Sequence, residues 1–185
     1  MAEKPRQIEE PVQEQEPVTI REIRTEDCDD MVGIWNSLVE EKAPIARQTP
    51  KTREQQLASL AEIIKGVEKG EAIYDVAEKD GHVVGFASIS GCKEKEGVRT
   101  ATLGVIALIK ELRGMGLADN LLEDVISKAK EKFGLDAVDL ETFDFNEQAK
   151  KLYARHGFEK TDKKCEPKEY YGKMCDRIEM IKNLK

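Results

Sequence analysis

The sequence predicts an α+β (mixed α/β) domain whose central, mainly antiparallel mixed sheet of about seven strands is flanked by helices. Three observations carry that prediction. Asp80-Gly81 lies between two apolar runs, the turn chemistry that a tight antiparallel hairpin requires. The stretch from Leu117 to Phe133 repeats apolar residues at helical spacing and lies between two strand-like runs, as a crossover helix does. The remaining segments alternate in type so that the order reads βααβββαβαββ, with hairpin-connected strands upstream and a single crossover downstream.

Residues 1–17 hold Pro5, Pro11 and Pro17, many Gln and Glu, and no aromatic residue. Too little apolar surface is available there to offset the entropy of ordering, so a disordered tail is expected, with one domain over 18–185. Val18 to Ile23 alternates apolar and polar side chains, as a half-buried strand should. Thr25 is placed to cap a helix whose acidic first turn suits the positive helix end, with Met31, Ile34, Trp35 and Leu38 as its apolar stripe. A second helix is expected from Thr52 to Glu68, after a loop from Pro44 to Pro50. The hairpin follows, with arms Ala72–Ala77 and His82–Ile89. A charged loop, Lys93 to Gly97, then precedes a strand from Thr100 to Ile109. The long helix ends at Gly134, Ala137 to Thr142 forms a strand, and Asn146 opens a helix that closes at His156-Gly157. Two last strands are expected near Phe158–Thr161 and Lys173–Lys182.

Composition narrows the function. The chain has 185 residues, 36% of them charged, and a formal net charge of -7. That balance argues against nucleic acid as a partner, because phosphates demand a basic footprint. It favours, at long range, a cationic acceptor. Cys28, Cys92, Cys165 and Cys175 form no CxxC pair and have no His at ligand spacing, so no metal is expected and the thiols read as reduced. The longest apolar run, Val105 to Ile109, is far too short to span a bilayer, and no basic-then-apolar leader opens the chain. The expected setting is cytoplasmic, without a membrane partner. A homodimer is left open.

The most informative segment is Ile109 to Ala118, where a strand ends, Gly114 and Gly116 follow, and the amphipathic helix begins. Glycines there let the backbone turn tightly with amides pointing outwards, and the helix's positive end adds to them. Such a turn suits a pyrophosphate. It also suits a plain strand–helix connection. A dinucleotide fingerprint fits poorly, because Asp119 stands where a third small residue belongs and a hairpin precedes the turn. A Walker A loop lacks its Gly-Lys-Ser/Thr.

Arg113-Gly114-Met115-Gly116-Leu117-Ala118 resembles the Arg/Gln-x-x-Gly-x-Gly/Ala signature of the GNAT acetyltransferases. The resemblance continues in Asn146-x-x-Ala149-x-x-Leu152-Tyr153 and His156-Gly157-Phe158, and the element order fits from about Val18 to Leu184. Ala118 stands for the commoner second glycine, Lys110 for a proline and Leu112 for an aromatic residue.

The resemblance implies acetyl-coenzyme A as cosubstrate and transfer of its acetyl group to a primary amine by direct attack, on a small amine or amino acid or on a protein lysine or N-terminus. A non-catalytic acyl-coenzyme A-binding sensor or interaction module is the alternative. It further implies that the strand before the signature carries a bulge and splays from its neighbour, so that the main chain of Ile106, Ala107 and Leu108 meets the pantetheine arm. The backbone of Arg113, Gly114, Met115, Gly116, Leu117, Ala118 and Asp119 would hold the pyrophosphate. Asn146 would bind the pantetheine, or serve only as a helix N-cap. Tyr153, two turns further along the helix, would be the general acid, or a buried aromatic. Glu141 would be the general base, or a solvated carboxylate, with Glu78, Asp139 and Asp144 as weaker candidates. His82 and His156 read as structural, and Tyr170-Tyr171-Gly172 as an aromatic turn bordering the acceptor site.

Overall fold

The computed structural model describes residues 17–185. The tail expected over 1–17 therefore lies outside the described residues, except for Pro17. The chain runs β1 (Thr19–Glu22), α1 (Cys28–Glu40), α2 (Arg53–Glu68), β2 (Ala72–Lys79), β3 (His82–Lys95), β4 (Val98–Leu108), α3 (Leu117–Phe133), β5 (Ala137–Phe143), α4 (Glu147–Arg155), β6 (Glu159–Lys164), β7 (Lys168–Tyr170), β8 (Lys173–Cys175) and β9 (Arg177–Asn183). Seven strands form one sheet in the order β1-β2-β3-β4-β5-β9-β6, and β7 and β8 make a separate hairpin. Every pairing in the main sheet is antiparallel except β4 with β5. The expected α+β architecture holds, with the β7–β8 hairpin as an addition.

Each face of the sheet buries its own helices, because strand side chains alternate between faces. On one face α3 sets Leu121, Leu122 and Val125 against Val84, Ile89, Val138 and Leu140, with Leu152 and Tyr153 of α4 alongside. On the other, Met31, Ile34 and Leu38 of α1 and Leu60 of α2 cover Tyr74, Val76 and Phe86. Phe86 is fully buried and its ring lies 5.4 Å from that of Trp35.

Local chemistry differs from expectation in three places. Thr25 is not the cap of α1: it opens a short 3-10 turn, Thr25–Asp27. The buried Asp27 carboxylate does the fastening, accepting the Arg24 amide at 2.7 Å and a two-pronged pair from Arg21. The charged segment Lys93–Gly97 is not a loop. Lys93, Glu94 and Lys95 stay in register with Thr100, Arg99 and Val98, and only Glu96-Gly97 turns. Both turn residues have positive φ, as a two-residue hairpin turn of the twist-matched kind needs. Finally, the strand expected over Lys173–Lys182 is broken at Asp176, whose carbonyl accepts the Asp144 amide at 3.0 Å; β8 precedes the break and β9 follows it.

Candidate active site

The site begins where two strands stop pairing. β4 meets β5 only at Thr100–Ala137, Ala101–Val138 and Thr102–Asp139. Beyond Thr102, β4 has no strand on that side. Its register against β3 also slips, with Ile89 opposite Leu103 but Ala87 opposite Ile106, so one extra residue is housed on β4. A bulge of this kind bends a strand away from its neighbour. Gly104 sits in it because a Cβ there would lie 2.9 Å from Ser88 Oγ, closer than side chains pack.

A cavity of about 760 Å³ fills the gap. Gly104 to Leu108 line one wall, and Glu141 to Phe143 the other. One end is closed by the start of α3. Gly114 and Gly116 both adopt left-handed backbone, with φ of +80° and +82° and open space where a Cβ would point. The first helical turn bond there is Asn120 to Gly116, and no side chain caps this end. The amides from Gly114 to Asp119 are therefore without partners among the described residues. Such a row of donors at a positive helix end fits an anionic phosphate chain.

The segment expected to hold a pyrophosphate borders the cavity unevenly. Arg113, Gly114, Gly116, Ala118 and Asp119 line the cavity, whereas Met115 is 72% exposed and Leu117 turns into the core. The Arg113 side chain is engaged elsewhere: its guanidinium donates to the Leu108 carbonyl at 3.1 and 3.2 Å and pairs with Glu41 at the end of α1. The Asp119 carboxylate holds Arg155 at 2.9 Å and His156 Nε2 at 2.8 Å. His156 hydrogen-bonding, then Arg155, hold that carboxyl below its usual range. His156 is half-buried against this carboxylate, and the exposed His82 lies beside Asp30.

Asn146 is the N-cap of α4, its Oδ1 accepting the Ala149 amide at 3.2 Å, and it also lines the cavity. Both uses considered for it are geometrically open at once. Tyr153 is buried, packs its ring 5.7 Å from Phe158 and lines the cavity. Its hydroxyl has no hydrogen-bond partner among the described residues. Burial pushes the phenol up to about 12, so it keeps its proton throughout the physiological range.

Glu141 lies on the wall formed by β5, which continues beyond it to Phe143. It pairs with Arg177 at 2.8 Å and Lys163 at 3.3 Å. The weaker base candidates do not line the cavity: Glu78 binds Arg21, Asp139 accepts from Thr102, and Asp144 lies near Lys150 and Lys160.

The far end of the cavity holds residues that sequence reasoning did not find: Trp35, Arg47, Lys168 and Arg177. Arg47 belongs to the connection between α1 and α2, and Lys168 begins β7. The β7–β8 hairpin lies across that connection. Tyr170 donates its hydroxyl to the Lys42 carbonyl, and Tyr171 donates to that of Val39 at 2.9 Å. Tyr170 also packs on Phe143 and Phe145, with ring centres 5.4 and 5.1 Å away. The aromatic turn foreseen at Tyr170-Tyr171-Gly172 therefore fastens the β7–β8 hairpin to the connection after α1. Among the described residues no group of three acidic, His or Cys side chains is arranged to hold a metal, and no helix is long and apolar enough to cross a membrane.

Comparison with known proteins gives a consistent result. Residues 33–158 match the model of the acetyltransferase (GNAT) family. No curated protein sequence matches the chain. Among solved structures, a ribosomal-protein-alanine N-acetyltransferase from Brucella melitensis is 24% identical with a TM-score of 0.76, covering 90% of this chain and 99% of that one. The yncA protein from Salmonella typhimurium, a putative acetyltransferase determined with its cofactor acetyl-CoA, is 22% identical with a TM-score of 0.76, covering 92% and 95%. A GNAT-family acetyltransferase from Streptococcus pneumoniae is 25% identical with a TM-score of 0.75, covering 91% and 100%. At such identities the likeness speaks for the shared fold.

Proposed function

The chain belongs to the GNAT family of acetyltransferases, and on that premise we propose that it is an N-acetyltransferase taking the acetyl group of acetyl-coenzyme A to a primary amine by direct attack. One observation carries the proposal. A single cavity joins the uncapped start of α3, the unpaired edge of β4 and a phenol without a hydrogen-bond partner among the described residues.

The residues present fit the cosubstrate. Six consecutive amides without partners among the described residues, together with a helix end, suit a pyrophosphate, and the open edge of β4 at Ile106, Ala107 and Leu108 offers main-chain groups to an amide-bearing arm. When bound, acetyl-coenzyme A supplies the activated acetyl thioester. The chain's own residues then have four tasks. The backbone of Gly114 to Asp119 holds the anionic end. The β4 edge and Asn146 orient the arm and aim amides at the oxygen where charge develops. Tyr153 Oη carries the proton that the leaving sulfur needs, and its burial keeps that proton in place. Glu141, the carboxylate at the acceptor end, takes the proton that the incoming ammonium must lose before it can attack.

Release of coenzyme A from acetyl-coenzyme A, measured with a panel of amines, peptides and ribosomal proteins, tests this reading. Turnover with at least one acceptor class is expected. Saturating acetyl-coenzyme A should also stabilise the protein, by about 2.7 kcal/mol at a hundredfold excess over its dissociation constant. No stabilisation would remove the proposal. Stabilisation without turnover on any amine would leave the non-catalytic binding module.

A further inference from the structure

Charge is distributed against the overall trend of this chain. The molecule as a whole is acidic, with a net charge of -7, yet the cavity lining carries five Lys or Arg side chains against two carboxylates, Asp119 and Glu141. The near end is balanced internally: Asp119 is paired with Arg155, and Arg113 with Glu41. At the acceptor end Arg177 and Glu141 answer each other at 2.8 Å. That leaves Arg47 and Lys168. Among the described residues the guanidinium of Arg47 makes one hydrogen bond, to the Thr49 carbonyl at 3.3 Å. The ammonium of Lys168 has no ion pair or hydrogen bond among the described residues.

These two cations lie 121 positions apart in sequence and are brought together by a specific fastening. Gln48, next to Arg47, donates from Nε2 to the carbonyl of Glu169, next to Lys168, at 2.5 Å. Its Oε1 accepts the amide of Tyr171 at 2.6 Å. With the two tyrosine hydroxyls bound to Lys42 and Val39, the hairpin is held over the acceptor end by four side-chain hydrogen bonds. A lysine on a protein surface needs an open groove to reach the acetyl group, whereas a cavity lined in part by a fastened hairpin suits a small molecule.

We propose that the acceptor is a small amine that itself bears an oxyanion, carboxylate or phosphonate, held by Arg47 and Lys168 while its amine faces Glu141. The proposal rests on the acetyl-transfer reading above and adds the acceptor's chemical class to it. An unsatisfied cation beside a partly enclosed cavity selects for a negative group, and a polyamine or basic peptide meets repulsion there. The long-range bias of the acidic surface is outweighed at short range, because these charges act within contact distance and under less screening.

The test compares free α-amino acids with their α-carboxamides, 2-aminoethylphosphonate and putrescine, by coenzyme A release and by calorimetry on the coenzyme A-saturated protein. Each free acid should exceed its carboxamide roughly ten- to a hundredfold in kcat/KM and in affinity, the range of one or two charge-assisted hydrogen bonds. The Arg47→Gln/Lys168→Gln double variant should erase that ratio while stabilisation by acetyl-coenzyme A is retained. Gln48→Ala, which removes only the fastening, should raise the acceptor KM with little change in kcat. A preference for the phosphonate over the carboxylates identifies the oxyanion and supports the proposal equally. Carboxamides or putrescine used as well as the acids, or an acid-to-amide ratio unmoved in the double variant, overturns it. If acetyl-coenzyme A does not bind, the transfer reading falls, and calorimetry on the unliganded protein still decides the anion preference.

Discussion

Tyr153 illustrates how burial and exposure to a cavity combine in a single side chain. Its ring belongs to the core beside Phe158, while its hydroxyl finds no partner among the described residues. Tyr153→Phe keeps the packing and removes only the proton, so kcat should fall about a hundred- to ten-thousandfold with acetyl-coenzyme A affinity and melting temperature preserved. Because the phenol is held up to about 12, the wild-type rate should climb with pH as the acceptor amine loses its proton, and should not decline until close to that value. A pH–rate profile reads both limbs. Asp75 poses the opposite case, a buried carboxylate far from the cavity. Desolvation raises it, opposed by the 2.9 Å bond from Lys128 and reinforced by Asp124. A raised folded value means that the folded state binds a proton more readily than the unfolded chain. Its contribution to stability is therefore greatest below the usual carboxylate range and is lost as pH rises above it. Asp75→Asn should be neutral or stabilising at pH 7 and flatten that decline in denaturation curves. Lys128→Met should destabilise by less than the roughly 3–5 kcal/mol of a fully buried pair, because the lysine is half-exposed and Asp75 can then share a proton with Asp124.

At the level of elements, the hairpins show what a sequence reveals and what it withholds. Three two-residue turns share one geometry, Asp80-Gly81, Glu96-Gly97 and Tyr171-Gly172, each with positive φ at both positions. The first was legible because aspartate tolerates that backbone and apolar runs flank it. Glu96 and Tyr171 carry no such signal, and the arms around them are charged or too short to show alternation, so one turn read as a loop and the β7–β8 hairpin was missed. The α3 turn was legible for the converse reason: its two glycines stand immediately before a strong helical period. Arg47 and Lys168 left no trace, since only tertiary contact through Gln48 makes them neighbours. Equal backbone strain at two of these glycines should have unequal consequences. Gly97→Ala and Gly116→Ala should each lose about 1 kcal/mol or somewhat more of stability in chemical denaturation, the cost of a left-handed alanine. Only Gly116→Ala should also weaken acetyl-coenzyme A binding, because only it lines the cavity.

For the molecule as a whole, the two faces of the sheet are sealed by different helices, yet the sheet itself is joined at its middle by three residue pairs. β1 to β4 form one block and β5, β9 and β6 another, with α3 bridging them over one face. This division was foreseeable from the resemblance, which anticipated a splayed strand. The extent of the splay was not, because it depends on where the β4 bulge interrupts the register.

That three-pair seam bears on how the protein opens. Strand pairs at a short junction are the natural place for partial, sub-global unfolding, in which one block loosens while the other stays folded. A ligand that touches Ile106 to Leu108 on one side and Asn146 on the other fastens both blocks at once. Amide exchange at Thr100–Thr102 and Ala137–Asp139 should accordingly slow when acetyl-coenzyme A is added, by a larger factor than amides in the middle of β2 and β3. Thermal unfolding should become sharper as well as later, so that cosubstrate binding is read as cooperativity between two halves that otherwise share only a narrow join.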